Sequence, residues 1–185
     1  MTRLILLGIA VVALGAGAAA AQQGGSIGIF ADTQGNDCDI FDNAVGLRTY
    51  YVCHVYTAGA TASQFSAPKP SCMLASWLSD TAVFPVTIGN SQSGVAIGYG
   101  SCQVGPIHIL SINFFCQGLT PLCCYYPVLP DPSNVSGNIE VVDCDNNLLM
   151  GTGFISVVNP DQSCCCHCTP ADESTWGKVK SLYSN

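Results

Sequence analysis

The stretch "SCCCHCTP" at residues 163–170 places four cysteines and a histidine within 164–168, at the end of a chain that carries twelve cysteines. These are Cys38, Cys53, Cys72, Cys102, Cys116, Cys123, Cys124, Cys144, Cys164, Cys165, Cys166 and Cys168. Their meaning depends on the redox compartment, which the N-terminus indicates. "MTRLILLGIAVVALGAGAAAAQQ" has a positive charge at Arg3, an apolar run from Leu4 and small residues ending at Ala21. That layout predicts a secretory signal peptide over residues 1–21, cleaved before Gln22. An even number of cysteines behind an export signal is the arithmetic of disulfides. All twelve are therefore expected in bridges, with the pairing left open.

Local geometry limits the pairing. The ring closed by bonding the neighbours Cys123 and Cys124 is strained, and in an extended chain their side chains point to opposite faces. Cys164 and Cys166 would share a face with Cys165 opposite, so the cluster is expected to send bridges to several distant strands. A zinc site is the alternative reading, since thiolates and imidazole are its ligands. However, structural zinc sites use two separated ligand pairs, and the second pair is missing here. Covalent haem attachment fails too, because Ser163 stands where the first cysteine of Cys-x-x-Cys-His would be. Each bridge in a secreted domain contributes roughly 2–5 kcal/mol.

Charge narrows the partners. Five Lys and Arg face twelve Asp and Glu, for a net charge of −7, and the leader takes Arg3 away with it. Such a surface repels phosphate backbones and anionic lipid, so nucleic acid is excluded as a partner. No segment after the leader is long and apolar enough to span a bilayer. Charged residues make up 9% of the chain, against about 25% in ordinary soluble domains. Ser, Thr, Asn, Gln and Gly must supply the wet surface.

Beyond the leader, short apolar stretches alternate with turns. "SIGIFA", "RTYYVCHVYTA", "TASQFSA", "FPVTI", "GVAIGYG", "IHILSINFF", "CCYYPV", "NIEVVD" and "GFISVV" read as strands. "GNSQSG" between the fourth and fifth is a hairpin signal, and "LPDPSN" a strong turn. Along the second strand, Tyr51, Cys53 and Val55 alternate with Tyr50, Val52, His54 and Tyr56. About nine strands with no amphipathic helix between them predict an all-β, disulfide-rich sandwich over residues 22–168. The tail, 169–185, is expected to hold a short C-terminal helix, with Trp176, Val179 and Tyr183 at helical spacing. Its role would be packing or export and surface attachment.

Candidate sites are few. Asp37-Cys38-Asp39 and Asp143-Cys144-Asp145 sit in loops, and "DTQGND" places Asp32, Gln34 and Asn36 at alternate positions, so calcium is a weak possibility. The ligand register of a calcium loop is not met, and solvated turn aspartates are the plainer reading. His54, His108 and His167 could each join a Ser and an Asp across the fold. Yet "GNSQSG" is not a nucleophile elbow, because Ser93 replaces the second glycine. The chain's two glutamates are Glu140 and Glu173, and Glu173 lies in the tail, which disfavours a glutamate pair for glycoside hydrolysis. No catalytic residue, cofactor or metal ligand is assigned. Tyr50, Tyr51, Tyr56, Tyr125, Tyr126 and Trp77 would form a sugar-stacking platform if exposed together, or core packing if not. Asn134-Val135-Ser136 is a glycosylation sequon in a turn.

"YYVCHVYTAGATASQFSAP", followed by "SGVAIGYG" and "IHILSINFF", resembles the strand order of cohesin-like and related immunoglobulin-like modules of secreted bacterial proteins, over roughly residues 26–158. "STWGKVKSLY" is similar to endings of secreted bacterial proteins that carry such domains. The resemblance implies an immunoglobulin-like sandwich in which Phe65 points inward and a late long strand closes the sheet. Cohesins grip calcium-binding dockerin partners. The resulting expectation is a secreted, non-enzymatic interaction or structural module outside the cell or on its surface, with an extracellular protein or glycan as partner. A carbohydrate-binding module is the alternative and a hydrolase the third reading.

Overall fold

The computed structural model describes residues 24–166 and builds them from twelve strands, with no helix among them. Nine strands form one long sheet in the order β5 (Ala75–Ala82), β8 (Ile107–Gln117), β3 (Val45–Val55), β1 (Ser26–Phe30), β11 (Leu148–Gly153), β10 (Ile139–Val142), β4 (Ala60–Phe65), β7 (Gly94–Gln103) and β6 (Val86–Asn90). A smaller sheet holds β2 (Asp39–Ile40), β12 (Ile155–Val158) and β9 (Cys124–Pro127). All the ladder partners are antiparallel except β1–β11 and β12–β2.

The long sheet folds onto itself because both of its halves are apolar on one face only. β3 buries Tyr50 and Val52, and β8 buries Leu110, Ile112, Phe114 and Cys116. From the other half, Phe65, Val95, Ile97 and Val141 join the same buried cluster. Period-two alternation puts these residues on one side of each strand, and burying that side against its counterpart makes the sandwich. Phe65 is fully buried, as the resemblance implied. A second, smaller cluster of Phe30, Cys38, Cys53 and Val55 lies against Tyr51, Phe154 and Cys166. It covers the opposite side of β3, which explains why that strand is apolar on both faces near its end.

The β6–β7 turn shows how the sequence encodes a connection. Asn90 Oδ1 accepts the N–H groups of Gln92 (3.0 Å) and Ser93 (3.1 Å). Gly89 has φ +86°, and a Cβ there would strike the Gly94 carbonyl oxygen. The glycines at both ends of "GNSQSG" are thus steric requirements. Three strands were not anticipated from the sequence: β2, β5 and β11. β5 is mostly exposed on a sheet edge, so it lacks an apolar alternation. The expected C-terminal helix, and the leader, lie outside the described residues.

Candidate functional site

The cysteine cluster is a set of structural ties. Cys38 bonds Cys166, Cys72 bonds Cys124, Cys102 bonds Cys144, and Cys123 bonds Cys164. Cys165 is also disulfide-bonded. The neighbours Cys123 and Cys124 do not bond each other, and Cys164 and Cys166 reach partners far apart in the chain, Cys123 and Cys38. Cys123, Cys164 and Asp161 bring potential ligand atoms within 4.8 Å of one another. The two sulfurs are bonded to each other, however, so neither offers a thiolate to a metal while the bridge is intact. His167 and Cys168 lie outside the described residues.

Two cysteines correct the expectation that all are bridged. Cys53 and Cys116 are buried free thiols. Cys53 sits among Cys38 and Cys166, which are already bonded to each other, and its Sγ faces the Asp32 carbonyl at 3.7 Å. Burial pushes its pKa up to about 12. Cys116 lies in the main core, 3.7 Å from the Tyr50 hydroxyl, and burial raises its pKa as well. Each behaves as a small apolar residue rather than a nucleophile.

Asp32 of "DTQGND" and Asp143 of the second triplet close their own turns. Asp32 accepts the N–H groups of Gln34 (2.6 Å) and Asp37 (2.8 Å), and Asp143 those of Asp145 and Asn147 (both 2.8 Å). Hydrogen bonds hold the pKa of Asp143 below the usual carboxylate range, and the backbone N–H groups do so for Asp32 against the opposing effect of burial. Asp39 Oδ1 accepts the Cys166 N–H at 2.9 Å and so adds a hydrogen bond beside the Cys38–Cys166 bridge.

His54 is wholly buried, with Nε2 2.6 Å from the Gly24 carbonyl and Nδ1 3.2 Å from the Tyr99 hydroxyl. His108 Nε2 lies 3.0 Å from Ser111 Oγ. Among the described residues, no carboxylate is hydrogen-bonded to either ring, so the three groups of a triad are not brought together.

The aromatic residues are likewise dispersed. Tyr50 and Tyr126 are core residues, and Tyr51 meets the edge of His108. Trp77 donates its indole N–H to Asp80 at 3.0 Å, while Tyr56 and Tyr125 are exposed on separate elements. Among the described residues no flat strip of rings forms.

What the strand register does assemble is the outward face of β3, β8 and β5. Leu47, Phe115 and Ser76 make one cross-strand row, Thr49, Asn113 and Ser79 the next, and Tyr51, Ser111 and Thr81 the third. Thr49 Oγ1 donates to Asn113 Oδ1 at 2.8 Å, and Asn113 Nδ2 faces Ser79 Oγ at 3.3 Å and Thr81 Oγ1 at 3.2 Å. The ladder holds these polar side chains in place across three strands. At one end Val45 and Leu47 are 71% and 72% exposed, beside the exposed Phe115. None of these residues is charged, on a chain of net charge −7. Reading the sequence by itself missed this face, because β5 was not seen as a strand and the register that joins Thr49 to Asn113 is non-local.

No protein-family model matches the chain, and no curated protein does. Among solved structures, it is similar to a cohesin module from a Clostridium perfringens family 33 glycoside hydrolase, with TM-score 0.46 and 6% identity over 74% of this chain and 98% of that one. A non-cellulosomal cohesin from the hyperthermophilic archaeon Archaeoglobus fulgidus gives TM-score 0.44 and 10% identity over 86% and 98%. The sixth cohesin of Acetivibrio cellulolyticus scaffoldin B, solved with a Cel5 dockerin, gives 0.44 and 11% over 74% and 98%. These three solved structures are all cohesin modules.

Proposed function

We propose that the protein is an exported, non-enzymatic module that binds another protein through the outward face of β3, β8 and β5. The uncharged face carries the reading. Interface centres are depleted in charge and combine apolar anchors with satisfied polar groups. Leu47 and Phe115 provide the anchors, and the Thr49–Asn113–Ser79 ladder provides ordered donors and acceptors that lose little freedom on binding. Export is supported by the leader pattern and by the disulfides, four of them between described residues, which persist in oxidising surroundings. The expected partner is an extracellular protein rather than a glycan, because the exposed rings do not align.

A photo-crosslinking residue placed at Ser79, on the face, and another at Val135, in the exposed β9–β10 turn, test the reading in the producing cells. A discrete protein adduct at position 79, absent at 135 and lost on Leu47→Asp, is expected. Equal adducts at both positions, or retention of binding by the Leu47→Asp variant, would overturn it.

A further inference from the structure

A second surface lies on the other half of the sandwich. The register of β6, β7, β4, β10 and β11 sets Val86, Gly98, Ala62, Val142 and Leu148 in one outward row. The adjacent outward row is Ile88, Ala96, Gln64, Glu140 and Met150. The middle strands contribute small residues, and the outer ones contribute branched or long apolar chains. The result is a trough between two walls, with a volume of ≈ 180 Å³ and an almost wholly apolar lining. Its walls face solvent, with Ile88 72% and Leu148 63% exposed. β6 is also the last strand in the sheet order, with no described strand paired on its far side.

Charge selects the occupant. Glu140 is the one charged residue in the two rows, and it lines the trough. Its cross-strand neighbour Gln64 turns its amide to Asp131 at 3.0 Å instead. The cations among the described residues, Arg48 and Lys69, are elsewhere: Arg48 on β3 and Lys69 bonded to the Met73 carbonyl at 2.8 Å. Among the described residues the carboxylate thus has no cation beside it, at the edge of an apolar slot on a strongly acidic molecule. A partner that fills the slot gains most when it places a Lys or Arg beside its apolar anchor.

We propose that this trough binds a protein segment that carries one bulky apolar side chain flanked by Lys or Arg. The apolar side chain enters over Gly98 and Ala96 between the β6 and β10–β11 walls, and the cation pairs with Glu140. The site is separate from the β3–β8–β5 face and does not depend on it.

Gly98 makes the test clean. Its φ is not in the left-handed region, and a Cβ there makes only ordinary contact with Val86, 3.5 Å away. Gly98→Leu therefore fills the slot from its floor without forcing the backbone. The probe is a labelled peptide, Gly-Ser-Lys-Phe-Lys-Ser-Gly, titrated against the full chain by fluorescence anisotropy, with two controls: Phe replaced by Ala, and both Lys replaced by Glu. Saturable binding of the parent peptide alone is expected, weakened more than about tenfold by Gly98→Leu. Glu140→Gln should weaken it about threefold and flatten its salt dependence. The thermal transition of each variant confirms folding. Equal binding to Gly98→Leu, equal binding of the Glu-substituted peptide, or no binding of the parent would overturn the proposal. Loss on Leu47→Asp instead would overturn it too, and would assign the peptide to the other face.

Discussion

Asp80 and Ser91 join the two ends of the nine-stranded sheet. Asp80 Oδ2 accepts the Ser91 N–H at 2.5 Å and Oδ1 its hydroxyl at 2.9 Å. Asp80 belongs to β5 and Ser91 follows β6, the first and last strands in the sheet order. Ser91 is fully buried, so its polar atoms have no water to turn to.

Asp80→Ala removes both bonds and also frees the Trp77 indole. We expect a loss of about 2–3 kcal/mol in urea unfolding. Asp80→Asn keeps the shape and acceptor capacity at one oxygen and should recover part of it. A loss under about 0.5 kcal/mol for the alanine variant would show that the clasp does not close the sandwich.

The free thiols make a chemical prediction. Iodoacetamide without reductant should leave Cys53 and Cys116 unmodified in the folded protein, and modify both once denaturant exposes them. Both are buried, and burial opposes formation of the reactive thiolate. Peptide mapping reads the result. Rapid labelling of Cys53 in the native state would contradict its placement beneath Gly35, whose Cβ position lies 3.3 Å from the Cys53 Cβ.

Much of this arrangement was legible in the sequence, and the limits have physical causes. The alternation around Tyr50–Val55 and the charge-free "IHILSINFF" gave β3 and β8, because burial on one face leaves a period-two trace. "GNSQSG" gave the hairpin, because its glycines are forced by contact. β5 left no such trace, since an exposed edge strand has no buried side. Leu148 and Met150 sit outward on β11, so "LLMGTG" shows no buried apolar alternation. The bridges and the two unpaired thiols depend on which strands meet, and that is settled by register. The candidate faces are hidden for the same reason: Gly98 beside Ala62 is a ladder relationship between residues 36 positions apart.

Stability should depend on pH through the histidines. Burial lowers the folded-state pKa of His54 below its ordinary 6.5, and that of His108 in the same direction. The unfolded chain therefore takes up protons first as pH falls. Stability is full above about pH 6.5 and declines below it until the folded-state values are passed. The urea midpoint should drop between pH 7.5 and 5.5, and a His54→Gln, His108→Gln variant should show a smaller drop, whatever its absolute stability. Asp32, Asp131, Asp143 and Asp161 are all shifted downward, away from that range, and so do not add to the slope. An unchanged slope in the double variant would place the proton uptake elsewhere.

Cys102–Cys144 ties the end of β7 to the β10–β11 turn, across a sequence separation of 42. Chain-entropy reasoning gives up to about 4 kcal/mol for such a loop, less where other bridges already shorten it. Gly59 packs on this bridge: it has φ +152°, and a Cβ there would lie 2.6 Å from Cys144 Sγ. Replacing both cysteines by alanine should therefore lower stability while making Gly59→Ala less harmful than it is in the native protein. Additive losses would mean that the cost of Gly59→Ala is backbone strain alone.

Asn159 separates conformation from hydrogen bonding at one position. Its Nδ2 donates to the carbonyls of Asp42 (3.0 Å) and Thr120 (2.7 Å), and its Oδ1 accepts the Asp42 N–H at 2.8 Å. Asp42 is itself fully buried and accepts from the Gly118 N–H at 2.9 Å and from the Thr120 hydroxyl, so the cluster fastens three loops. Asn159 also has φ +51°, in the left-handed region that asparagine tolerates better than alanine. Asn159→Gly loses the hydrogen bonds but not the backbone fit, and should cost about 2–3 kcal/mol. Asn159→Ala loses both, and should cost about 1 kcal/mol more. Equal losses in urea unfolding would assign the whole effect to the hydrogen bonds. A glycine variant as stable as the wild type would show instead that asparagine is there for its backbone alone.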